Sequence, residues 1–248
     1  MLNLGRHVYG FAAIALGVIG IAWADFAAVW QPFWDEAPAR KLIAYAVAGL
    51  FLVAGIALQW RRTASAGALV CAVLFGMFAC FWIGMRLVNH PQLFVMWSGT
   101  GEQLAMAMGG VTTFAILQSP PSARLMLLAR MVFGMCLLAF GAAHFVYTTE
   151  TAAMTPAWLP PSTRFWALAT GVAHAAAGLA LISGIWAPIA ARLLTLMFVV
   201  FGALVWAPQL LKSPPEHMAW AGNAINLALI GAAWVIADAL AQQRVAKA

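Results

Sequence analysis

Charge is scarce in this sequence. Asp, Glu, Lys and Arg make up 8% of its 248 residues, against about 25% in a soluble domain. That excludes a fully solvated surface. Long polar loops are missing too, which leaves no room for a separate soluble domain. The net charge of +6 is spread thinly rather than gathered into a basic stripe, so nucleic acid is not a predicted partner. Cysteine is limited to Cys71, Cys80 and Cys136. All three lie in apolar runs and none forms C-x-x-C, so they read as packing residues and not as a thiol-redox device. No H-x-x-x-H pair or Cys/His set occurs, so no metal site is predicted.

Apolar residues fill the space that charge leaves. Hydrophobic residues reach 65%, with a mean hydropathy of +0.91. The chain therefore reads as an all-α, multi-pass integral membrane protein with the lipid bilayer as its first partner. Eight apolar stretches approach the ~20 residues of a span: 6–29, 40–59, 65–88, 98–117, 126–147, 164–183, 189–208 and 217–238. Clusters such as "QPFWDEAPAR", "QSPPSAR" and "TPAWLPPSTR" separate them.

The second half echoes the first. "GRHVYG" at Gly5–Gly10 matches "ARMVFG" at Ala129–Gly134, "AGIAL" at Ala54–Leu58 matches "AGLAL" at Ala177–Leu181, and "WSGTGEQLA" at Trp97–Ala105 matches "WAGNAINLA" at Trp220–Ala228. A shift of about 124 residues predicts two four-helix repeats, 1–122 and 123–248. Arg6, an apolar run and "AWA" at Ala22–Ala24 mimic a cleavable signal. The internal counterpart instead makes this segment a retained span. An even helix count per repeat makes the repeats parallel and puts both termini on one side.

Basic residues set the orientation. Arg6, Arg61, Arg62, Arg124, Arg130, Arg192, Arg244 and Lys247 fall on the side of the termini; Arg40, Lys41, Arg86, Arg164 and Lys212 fall opposite. The bias predicts cytoplasmic termini in a bacterial inner (plasma) membrane. Of twelve tryptophans, all but Trp60, Trp186 and Trp234 fall on the outer side, as a vestibule or thick outer loops would require.

Most intramembrane polar groups lie toward that outer side. His144, Tyr147 and Glu102 sit near outer helix ends, and Asn223 and Asn226 two to three turns in. His174 is about 15 Å deep. Such residues face the bundle and pair, or line a cavity. Each also has an ordinary reading. Asp25 and Arg86 suit snorkelling to headgroups, Glu150 suits a solvated or capping carboxylate, and Glu102 suits a pair with Arg86. Asn223 and Asn226 suit hydrogen bonds that hold helices together. His144 and His174 are less ordinary: the first half has Gly20 and Phe51 in their places. The inner half holds little beyond Thr112, Thr113 and Thr195.

"GAAHFVY", then "PAWLP", then "FWALATGVAHAAAGLAL" together resemble the DoxX-like membrane proteins, best over 129–238. The resemblance implies four-helix units and a redox-linked membrane role, and transfers no catalytic set. On the residues, a quinone-coupled oxidoreductase subunit is predicted, with a periplasm-facing polar pocket. His144, Tyr147 and Glu102 are its catalytic candidates; His144, His174, Trp158, Asn223 and Asn226 are its cofactor contacts. A haem b held by the two histidines is a weaker variant, because their depths differ. A non-enzymatic anchor or assembly subunit for an extracytoplasmic or membrane redox partner is the alternative. A small-solute permease is the third reading.

Overall fold

A computed structural model describes residues 4–245, with side chains described through Gln243. Lys247 and the side chain of Arg244, both used for the orientation, lie outside the described residues. The elements are α1 (Leu4–Trp23), a 3₁₀ turn (Ala28–Trp30), α2 (Arg40–Ala57), α3 (Ala64–Phe81), α4 (Phe94–Leu117), α5 (Ala123–Val146), α6 (Thr148–Met154), α7 (Thr163–Ser183), α8 (Ala187–Phe201), α9 (Ala207–Lys212) and α10 (His217–Val245). Two π-helical segments continue helices: Trp82–Leu87 after α3 and Gly202–Trp206 between α8 and α9. Pro208 explains the second. It has no N–H to offer the carbonyl four residues back, so the ladder loosens ahead of it.

Helix ends follow local chemistry. Ser122 and Ser162 accept the backbone N–H of Leu125 and Phe165, capping α5 and α7. Gly184 ends α7 in the left-handed region, at φ 82°. Three loops are pinned alike: the indoles of Trp97, Trp166 and Trp220 donate to the carbonyls of Pro91, Pro160 and Pro214. Asp25 pairs with Arg40 and accepts the Phe26 N–H at 2.7 Å, so it is held by partners rather than by headgroups.

The expected eight transmembrane helices in two parallel four-helix repeats are not what the fold contains. Among the described residues, seven helical segments are long and apolar enough to cross a membrane. The segment that falls short is α4. Its stretch Ser98–Gln103, with Gly109, Gly110, Thr112 and Thr113, dilutes the apolar content. It is an interior helix: Thr100, Gln103, Thr112 and Thr113 are buried, and α3, α5 and α10 pack around it. Protein, not lipid, surrounds its polar groups. Nor do the halves pack as two units. α1 lies along both α2 and α10, and α4 along α3, α5 and α10. Placing both termini in the cytoplasm relied on an even span count, and that inference falls with it.

The closest packing positions the site. α5 and α7 cross at small residues: a Cβ on Gly141 would lie 2.9 Å from the Gly171 carbonyl, and one on Gly171 would lie 2.8 Å from the His144 Cβ. The missing methyl groups let the two backbones touch. His144 is thereby pressed against α7.

Candidate functional site

His144 leaves α5 in its last turn and meets α7 directly. Its Nδ1 lies 3.0 Å from the Ala167 carbonyl and 3.0 Å from Thr170 Oγ1. A carbonyl only accepts, and the Thr170 hydroxyl gives its own hydrogen to the Trp166 carbonyl at 2.7 Å. The hydrogen of His144 therefore sits on Nδ1. His174, one helical turn beyond Thr170, is fixed the same way: Nδ1 donates to the Thr170 carbonyl at 2.9 Å. A neutral imidazole with hydrogen on Nδ1 keeps an acceptor lone pair on Nε2. Neither Nε2 has a hydrogen-bond partner among the described residues. The ring centroids are 5.0 Å apart and tilted by 47°.

Both rings line a cavity of about 660 Å³. Its inner wall is aromatic. Phe140 meets His174 edge-on at 5.9 Å, Phe198 and Phe201 lie 5.7 and 6.0 Å from it, and Phe201 stacks on His144 at 6.5 Å. Toward the loops the cavity is bounded by Trp30, Trp166 and Trp206. Trp206 sits on Gly222 and meets Trp30 edge-on at 5.7 Å. Tyr147, Glu102, Ser98, Thr151 and Thr155 line the cavity as well, and Thr170 and Asn226 add polar groups beside the histidines and Phe198. Such a shape, mostly apolar with a few placed polar groups, suits an amphiphilic small molecule.

Of the residues singled out from sequence, His144, His174, Tyr147, Glu102 and Asn226 share this cavity. The Tyr147 hydroxyl accepts the Val95 N–H at 3.0 Å and so keeps its own hydrogen to donate. The Glu102 carboxylate and Trp30 both line the cavity. Arg86 is not that carboxylate's partner; it lies 4.9 Å over the Trp82 ring. Asn226 donates to the Phe198 carbonyl at 3.3 Å, tying α10 to α8. Asn223 stands apart from the cavity: its amide donates to the carbonyls of Trp206 and Ala219. Trp158 is 70% exposed on its loop and also lies off the cavity. Glu150 is exposed in the first turn of α6. Among the described residues, no group of three or more His, Cys, Asp or Glu gathers to hold a metal ion.

Sequence reasoning missed Thr170, Trp206 and the Phe198–Phe201 wall. Thr170 carried a signal, since it lies four residues before His174 on one helix face. Phe198 and Phe201 carried none, because phenylalanine in a span ordinarily faces lipid or core.

Fold and cavity together define a multi-pass membrane protein with an amphiphilic pocket inside one bundle. A DoxX domain is found over residues 125–207. The matched stretch runs from α5 into α9 and carries both histidines, Tyr147 and the aromatic wall. No match was found among curated proteins or among solved structures.

Proposed function

We propose that this protein binds a quinone or quinol in the cavity and serves as a quinone-coupled redox subunit of a bacterial inner membrane. One observation carries the reading. Two imidazoles that line a mostly apolar cavity hold their Nδ1 hydrogens on backbone carbonyls and keep Nε2 free as an acceptor. An acceptor pair favours the quinol, whose hydroxyls donate. Tyr147, whose hydroxyl hydrogen is free, supplies a donor to an oxidised carbonyl. Of the two protons a quinol gives up, one passes to a histidine Nε2 that accepts its hydroxyl and the other to Glu102, which lines the same cavity. Quinol oxidation releases two protons and two electrons. The two electrons pass to a separate redox protein.

A haem between the histidines is disfavoured by geometry. Rings 5.0 Å apart, on helices whose backbones touch, leave no gap for a macrocycle. A permease is disfavoured as well. Thr112, Thr113 and Thr195 give their hydroxyl hydrogens to the carbonyls of Met108, Gly109 and Ala191, so they offer no polar path onward from the cavity. The anchoring role has one point in favour, the exposed Trp158. Under it, Trp158→Ala weakens partner binding and His174→Ala does not.

The test is quinone titration of the purified protein in lipid nanodiscs, read by quenching of the cavity tryptophans. Removing one neutral hydrogen bond costs about 1 kcal/mol or a little more. His144→Ala and His174→Ala should therefore each weaken binding up to about tenfold. Unchanged quenching in the double variant, or none in the wild type, would reject the assignment.

A further inference from the structure

We infer that the cavity is filled sideways from the bilayer, through a gap between α7 and α8, by an amphiphile whose hydrocarbon tail lies along α8. The lateral route is read from the walls alone; the identity of the head rests on the quinone reading above.

Three cavity-lining residues of α8 are also among its outermost. Leu193, Leu196 and Val200 are 61%, 58% and 41% exposed. On a membrane-crossing helix that exposed surface faces lipid. Phe198, on the same helix and in the same cavity, is 3% exposed. One helix thus supplies both the outer lip of the cavity and its back wall, so the interior is continuous with the lipid face. On α7, Ala169 and Ala173 line the cavity with methyl groups alone, beside Trp166, Thr170 and His174; Ala173 is exposed. The small side chains of α7 that pack tightly face the other way: Gly171 and Gly178 meet α5. Large residues on one lip and alanines on the other leave a window.

The cavity also changes character along its length. Its loop end holds Tyr147, Glu102, Thr151 and Thr155, while its lipid flank is leucine and valine. A ligand matching both ends has a polar head and an apolar tail. The stripe from Leu193 to Leu204 gives that tail roughly 16 Å of helix to follow, at about 1.5 Å per residue. A water-soluble metabolite would leave this flank unused.

Two measurements test the route. In the first, the protein is placed in nanodiscs containing phosphatidylcholine with a diazirine in its acyl chain, and cross-links are mapped by peptide mass spectrometry. Labelling of Phe198 is expected beside labelling of outward residues such as Val172 and Leu179. Labels confined to outward residues would overturn the route. The second compares a quinone bearing a long isoprenoid tail with the same headgroup lacking it. Ala173→Trp fills the window, and Ala173 is exposed enough to accept the ring. It should weaken the tailed quinone roughly tenfold, as overpacking does, and leave the bare headgroup within about twofold. His174→Ala should weaken both alike. Equal loss of both quinones in Ala173→Trp would refute the lateral window and spare the head site. Failure of the wild type to bind either quinone would instead refute the head assignment, and the cross-linking then decides the route by itself.

Discussion

The contact of Trp206 with Gly222 can be tested by adding one methyl group. A Cβ at position 222 would lie 2.1, 2.5 and 3.0 Å from three atoms of the Trp206 six-membered ring. Carbon atoms settle at about 3.5–4.0 Å, so the ring must retreat by roughly 1.4 Å. It has little freedom to do so. Trp30 stands against it at 5.7 Å, and the carbonyl of Trp206 is held by Asn223 at 2.8 Å. Overpacking of this kind costs about 1–3 kcal/mol. In a chain of this size each kcal/mol moves the midpoint by roughly 2–4 °C, so Gly222→Ala should lower the unfolding temperature in detergent by roughly 2–12 °C. The decisive comparison adds Trp206→Ala. Without the ring the three closest contacts of the new methyl are gone, and the cost of Gly222→Ala should fall below about 0.5 kcal/mol, a coupling on the order of 1–2 kcal/mol. Equal costs in both backgrounds would refute the argument, because the penalty would then not pass through the ring.

Other consequences follow from single contacts. Tyr9 is buried and donates to the Met106 carbonyl at 2.7 Å; Tyr9→Phe should cost about 1 kcal/mol, read by chemical unfolding in mixed micelles. Asp25 accepts a backbone N–H and pairs with Arg40, whereas Asp35 meets Arg40 from full exposure. Asp25→Asn should cost about 1–3 kcal/mol and Asp35→Asn under about 0.5 kcal/mol in the same assay. Gly231 meets the Tyr9 backbone nitrogen at 2.5 Å where a Cβ would stand. Backbone cannot yield as a side chain does, so Gly231→Ala should destabilise by at least about 3 kcal/mol and lower the yield of folded protein on size exclusion.

The sequence foretold some parts of this protein better than others, for identifiable reasons. Membrane class was visible because composition alone requires it. The meeting of His144, Tyr147, His174, Glu102 and Asn226 was visible because polar groups in apolar helices must share an interior. The pinned loops were not read from the sequence, although a proline stands six residues before each of Trp97, Trp166 and Trp220. α4 was misjudged because its length suggested a span while its glycines, threonines and Glu102–Gln103 lowered its hydropathy. Its shelter inside the bundle depends on partners distant in sequence. Asn223 looked like a ligand contact but serves the Trp206 carbonyl, a group offered beside the π segment. The Nδ1 hydrogen of His144 was illegible for a similar reason. It is fixed by the Ala167 carbonyl of α7, and only the crossing at Gly141 and Gly171 brings that carbonyl within reach.

The pairing of α1 with α10 orders events during synthesis. Gly5 donates its N–H to Asp238 across 233 positions of chain, and Gly5 and Gly231 both lie against backbone of the opposite helix. A ribosome makes α1 first of the described helices and α10 last. Until α10 emerges, the surface of α1 that receives it has no permanent cover, and α4 lacks one of the three helices that shield its polar face. The cavity lacks Asn226 over the same interval. A chain stalled before α10 would therefore hold both histidines and most of the aromatic wall, yet stay open in the membrane.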